Sequence, residues 1–226
     1  MVFLLACITM VIDHIGLLFY PWVDLFSWFP WDNELRVIGR FAFPLFAWGI
    51  VRWFRVTRDK TKYLKRLFFL WIASQIPFLY IDITYNIEII NVIFTLLFWL
   101  LSIWLLEEKK IDIFLRILGI GFLIIFAEFA HFDYGAYWVL SVLILHIFWE
   151  RYKAIPVFAL LTFLFYNLDY KAYEIVYHYQ IFSVIWVAIL YLTPIIKYDF
   201  KINFYVKYLF YPVHFALLLL IFYFIS

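Results

Sequence analysis

Long apolar stretches alternate with short polar ones along this chain, and nine of them approach the roughly 20 residues that a helix needs to cross a bilayer. They cover residues 2–20, 37–54, 66–82, 89–106, 113–130, 134–149, 154–168, 181–197 and 205–225. Each predicts a helix, because a backbone in lipid must satisfy its own hydrogen bonds and a helix does so within one segment. Pro44, Pro77, Pro194 and Pro212 fall inside or at the ends of these stretches, where a bundle can re-satisfy the carbonyls they release. The expected fold is an all-α integral membrane protein, a polytopic bundle of about nine transmembrane helices forming one domain over residues 1–226.

Composition agrees with that pattern. Hydrophobic residues make up 68% of the chain and aromatic residues 26%, more apolar surface than a soluble fold of 226 residues can hide. Charge then orients the bundle. With the N-terminus inside, all of the 18 lysines and arginines except Arg36, Arg40 and Lys171 fall in or beside inner connections. The richest run goes from Arg52 through Arg55, Arg58, Lys60, Lys62 and Lys65 to Arg66, whereas Asp24, Asp32, Glu34, Asp82, Asp133 and Asp169 lie on the outer side. The positive-inside rule therefore predicts N-in, C-out. The first stretch lacks a basic leading region and stays apolar to Phe19, which predicts a mature helix rather than a signal peptide.

Several function classes drop out. A single cysteine rules out an internal disulfide and any cysteine-rich metal motif. None of the six glycines builds a phosphate-cradling loop, and no basic tail argues for nucleic acid. Tryptophans and tyrosines near the span ends read as interfacial belts.

What remains is a small set of ionisable residues at bilayer depth: Asp13, His14, Arg40 and His214. Each costs about 2.5–3.5 kcal/mol to insert, so each predicts a functional site or a buried pair. At about 1.5 Å per residue, Asp13, His14 and His214 reach the middle of the membrane, with Arg40 within side-chain reach of Asp13. Adjacent helical residues point about 100° apart, so Asp13 is expected to pair with Arg40 or His214 rather than to orient His14. An imidazole here suits general-base work. A buried Asp–Arg pair beside a satisfied core histidine is the structural alternative, and a proton-coupled small-molecule transporter would use the same groups as a relay.

The stretches ITMVIDHIGLLFYP (8–21), LRVIGRFAFPLFAWGIVRWFRVT (35–57), KYLKRLFFLWIASQIPF (62–78), NVIFTLL (91–97) and KYLFYPVHFALLLL (207–220) resemble, in order and spacing, the TraX family of F-pilin N-acetylases. DYGAYWVLSVLIL (133–145) is a weaker match. The resemblance implies a multi-pass acyltransferase of the bacterial cytoplasmic (inner) membrane. It would move an acetyl group from acetyl-CoA to an amine such as a pilin N-terminus, with a glycan amine or hydroxyl as the other acceptor. The family pattern falls on Asp13, His14, Gly39, Arg40, Tyr63, Arg66, Asn91 and His214.

The side chains suit that chemistry. Acyl transfer from a thioester needs a base for the acceptor's proton and a cation or donor for the oxyanion. His14 or His214 would be the base, and Arg40 would hold the oxyanion or the acceptor, or would fix Asp13. No metal is expected. Phosphates of coenzyme A would meet the basic inner side at Arg52, Arg55, Tyr63, Lys65 and Arg66, while Asn91, His131 and Asp133 would contact the acceptor.

Overall fold

The computed structural model describes residues 2–19, 34–85, 92–130, 135–149, 152–167, 180–193 and 203–225. Among them the regular structure is entirely helical: α1 (Val2–Phe19), α2 (Glu34–Gly39), α3 (Ala42–Val56), α4 (Lys60–Tyr85), α5 (Val92–Glu107), α6 (Ile113–Phe129), α7 (Gly135–Ile147), α8 (Ala154–Asn167), α9 (Phe182–Leu192) and α10 (Phe204–Ile225). Every apolar stretch read from the sequence overlaps at least one of these helices. Val37–Val56 is long and apolar enough by itself to cross a membrane, and Val2–Gly16, Val92–Glu107, Gly135–Ile147, Ala154–Phe165, Phe182–Leu192 and Tyr208–Phe224 are shorter apolar helices.

The second stretch is broken where hydropathy alone runs on. Arg40 and Phe41 form a turn between α2 and α3, their amides reaching back three residues, to the Val37 carbonyl at 3.2 Å and the Ile38 carbonyl at 3.1 Å. Pro44 accounts for the position, because a proline ring collides with the carbonyl four residues earlier, here that of Arg40. The third stretch differs the other way. Its helix begins at Lys60 rather than residue 66, since Asp59 accepts a hydrogen bond from the Lys62 amide at 2.9 Å and so caps α4. That bond, chiefly, holds the Asp59 carboxyl below its ordinary pKa.

The chain divides into two compact units. Unit 1 comprises Met1–Phe46 and Glu150–Ser226, and unit 2 comprises Ala47–Trp149. In unit 1, α1 packs on α2 and on α10, and α8 packs on α9. The chain's one cysteine, Cys7, is buried in α1. In unit 2, α5 packs against α4, α6 and α7. The α5–α7 core is built on Trp99 and Trp138, both fully buried with ring centroids 6.3 Å apart. Small buried hydroxyls lie beside them and are satisfied within their own helices, Ser102 by the Trp99 carbonyl and Ser141 by the Tyr137 carbonyl, each at 2.8 Å. Small residues whose hydroxyls turn back on their own backbone let helices approach closely at no hydrogen-bonding cost.

The start of α7 depends on one glycine. Gly135 has φ +50°, and Glu128 of α6 accepts a hydrogen bond from the Ala136 amide at 3.0 Å. A Cβ at position 135 would fall on that same carboxylate. Gly135→Ala should therefore lower stability by about 1–3 kcal/mol, combining the left-handed backbone penalty with overpacking. Thermal melting in detergent checks this, and an unchanged melting temperature would refute it.

Candidate functional site: a histidine pair in unit 1

Two histidines 200 positions apart meet where α1 packs on α10, with His14 Nδ1 2.9 Å from His214 Nε2. Their rings lie nearly parallel, 6° apart with centroids separated by 5.1 Å. Aromatic side chains of α10 enclose them. Phe210 stacks on His214 at 4.8 Å, Phe215 presents an edge to His14 at 4.9 Å, and Tyr211 sits edge-on to His214 at 5.6 Å. Tyr211 and Phe215 are buried, and His214 is only 8% exposed.

The hydrogen bonds set the tautomers. His214 Nδ1 lies 2.7 Å from the Phe210 carbonyl one turn earlier in α10. A carbonyl only accepts, so His214 carries its proton on Nδ1, and in the neutral ring Nε2 is then an acceptor. The nitrogen facing it, His14 Nδ1, must donate. The neutral pair therefore leaves the His14 lone pair on Nε2. His214 is locked by its backbone and His14 by His214.

Asp13 and Arg40 are placed by the α1–α2 contact. The Asp13 carboxylate rests against Gly39, so closely that a Cβ there would coincide with Asp13 side-chain atoms. The next residue, Arg40, occupies the break before α3 and is 2% exposed. The structure thus joins His14 to His214, and seats Asp13 on the backbone adjoining Arg40. Phe210, Tyr211 and Phe215 are the members of this arrangement that sequence reasoning missed. Their spacing around His214, at four and three residues before and one after, was the available signal.

The residues expected at the basic side belong to unit 2. Arg52 and Arg55 end α3, while Tyr63, Lys65 and Arg66 lie in the first two turns of α4. Tyr63 is buried, Arg52 half-buried, and Arg55, Lys65 and Arg66 are exposed. Asn91, His131 and Asp133 lie outside the described residues.

The described residues define a helical protein with a backbone-locked imidazole pair buried in an aromatic enclosure. No solved structure matches it. The model of the family described as TraX protein matches residues 1–222, and this chain is a member of that family. It is also 31% identical over 238 residues to the probable fimbrial assembly protein FimC, serogroup H1, of Dichelobacter nodosus, covering 95% of this chain and 91% of that protein.

Proposed function

We propose that this protein is a multi-pass acetyltransferase of the bacterial cytoplasmic membrane, N-in and C-out with nine spans, which moves acetyl from acetyl-CoA to the N-terminal amine of a pilin-like subunit. The observation that carries the reading is the tautomer-locked His14–His214 pair, which puts the basic lone pair of His14 on Nε2 beside the aromatic side chains of α10. Family membership and the fimbrial-assembly relative support the acceptor class, with a glycan as the other candidate. The bilayer reading is supported by α6, whose Ile113, Phe114, Ile117, Phe122 and Phe129 side chains are all exposed, as lipid-facing residues would be.

In the reaction, the amine nitrogen attacks the thioester carbonyl and His14 Nε2 takes the amine proton. Cationic Arg40 holds the oxyanion, the C–S bond breaks, and the proton passes from His14 to the departing thiolate. His214 keeps Nδ1 of His14 protonated, so that Nε2 alone takes part. Asp13 anchors the α1–α2 contact next to Arg40. Arg52, Arg55, Tyr63, Lys65 and Arg66 supply the donor's phosphate contacts, and Asn91, His131 and Asp133 the acceptor's.

The test is to incubate the purified protein with labelled acetyl-CoA and either a pilin N-terminal peptide or a hexosamine. Label is expected in the peptide amine. Label in the sugar alone would change the acceptor, and movement of solute across vesicles without any acetyl transfer would replace the enzyme by a transporter.

A further inference from the structure

Polar side chains buried in this bundle are answered in two ways. Short hydroxyls turn back on their own helix, as Ser183 of α9 does by donating to the Gln180 carbonyl at 2.6 Å. Longer groups reach a neighbouring helix, as His146 of α7 does with Nε2 2.9 Å from Glu107 Oε1 of α5. Trp186 of α9 has neither answer. Its indole Nε1 is buried and has no hydrogen-bond partner among the described residues. A tryptophan nitrogen only donates, and the ring holds it too far from its own backbone to be satisfied there. Leaving such a donor dry and unpaired is costly, so this one calls for an acceptor that arrives with a ligand.

The position of the indole says which acceptor. Ser183, Val187 and Leu190 form the fully buried stripe of α9, and Trp186, next to Val187, is half-buried at the flank of that stripe. Its ring packs on Phe41, with centroids 4.5 Å apart and planes tilted by 53°. Phe41 is the second residue of the turn between α2 and α3, and the first is Arg40, 2% exposed. All of these residues belong to unit 1, as do His14 and His214. A buried N–H donor thus stands against the turn that carries the cation assigned to the oxyanion. A carbonyl oxygen offers two lone pairs, and in a dry site a single donor leaves the second one unmet.

We propose that Trp186 is a catalytic residue for acetyl transfer, its indole N–H forming with Arg40 a two-donor hole for the thioester oxygen. This rests on the acetyl-transfer reading above. As the amine nitrogen bonds to the thioester carbon, the carbonyl π pair moves onto oxygen, and both donors strengthen their hydrogen bonds to it without giving up a proton. The amine proton goes to His14. When the oxygen pair returns to re-form the carbonyl, the C–S bond breaks and its electrons leave on sulfur, which takes the proton from His14. An indole suits this place because it is fixed and neutral. It needs no reorganisation as charge develops, and it adds no positive charge that would oppose protonation of the imidazole.

The test removes the N–H and keeps an aromatic ring. Trp186→Phe is made in the full chain, beside a variant carrying benzothienylalanine at position 186, which puts sulfur in place of N–H at nearly unchanged volume. The second variant keeps the test available if the smaller phenyl ring leaves a destabilising cavity. Steady-state transfer from acetyl-CoA to the pilin peptide or the hexosamine is measured together with thermal melting in detergent. In both variants kcat should fall about 10²–10³-fold, the worth of one oxyanion donor, with KM for acetyl-CoA unchanged, as befits an interaction made in the transition state. The pH–rate profile should keep its shape because His14 is untouched, and the benzothienyl variant should melt with wild type because no hydrogen bond is lost. Full kcat in either well-folded variant would overturn the role of Trp186 while leaving the acetyl reading intact. A loss of rate matched by a lower melting temperature in both variants would make Trp186 a packing residue, and a raised KM at constant kcat would make it a ground-state contact; each overturns the hole. If wild type moves acetyl to neither acceptor, the acetyl reading falls and the hole with it.

Discussion

Replacing His14 by alanine is expected to abolish acetyl transfer, at a cost of about 10²–10⁴-fold in rate, in a protein that still folds and inserts. His214 should behave differently because its role is exerted through His14. His214→Leu removes the acceptor that faces His14 Nδ1 and frees that ring to adopt either tautomer, so activity should fall steeply and the pH–rate profile should shift. His214→Gln keeps an acceptor near the position of Nε2, and should recover a substantial part of the rate and restore the profile. A purely structural His214 would predict equal activity in the Leu and Gln variants whenever their melting temperatures agree, and full activity in His14→Ala would remove the base altogether.

Gly39→Ala should have the second-largest effect. The added Cβ would occupy the space of the Asp13 side chain, and α1 must then move off α2. Overpacking of this kind costs about 1–3 kcal/mol, and because the same contact adjoins the break holding Arg40, transfer should fall along with stability. A double variant separates the two effects. In an Asp13→Gly background the methyl group has room, so Gly39→Ala should lose most of its stability penalty there while transfer stays low. Additive melting-temperature losses in the double variant would show that Asp13 and Gly39 do not share the space assigned to them.

Helices were legible in the sequence because each apolar stretch carries its own backbone solution, whatever packs around it. Their ends were less so. The start of α4 depended on Asp59 acting as a cap ahead of a charged first turn, which hydropathy discounts. The break at Arg40 depended on Pro44, noted in the sequence but read there as tolerated. That His14 and His214 each lie within an apolar helix was legible in the sequence, but their contact is a tertiary fact, and the tautomers follow from a carbonyl of Phe210 that no residue pattern reveals. The Glu107–His146 pair escaped because each residue, taken alone, reads as a polar side chain near a helix end, and only the packing of α5 on α7 makes them one group.

The burial of Cys7 in α1 has a practical side. With its one thiol shielded inside a helix, the natural chain already approximates a cysteine-free background for site-directed labelling. Cysteines introduced singly at exposed positions such as Arg58 or Ile113 could be probed from either face of sealed vesicles with membrane-impermeant maleimides, against little signal from the parent protein. The same background would suit paired spin labels for measuring distances within each unit.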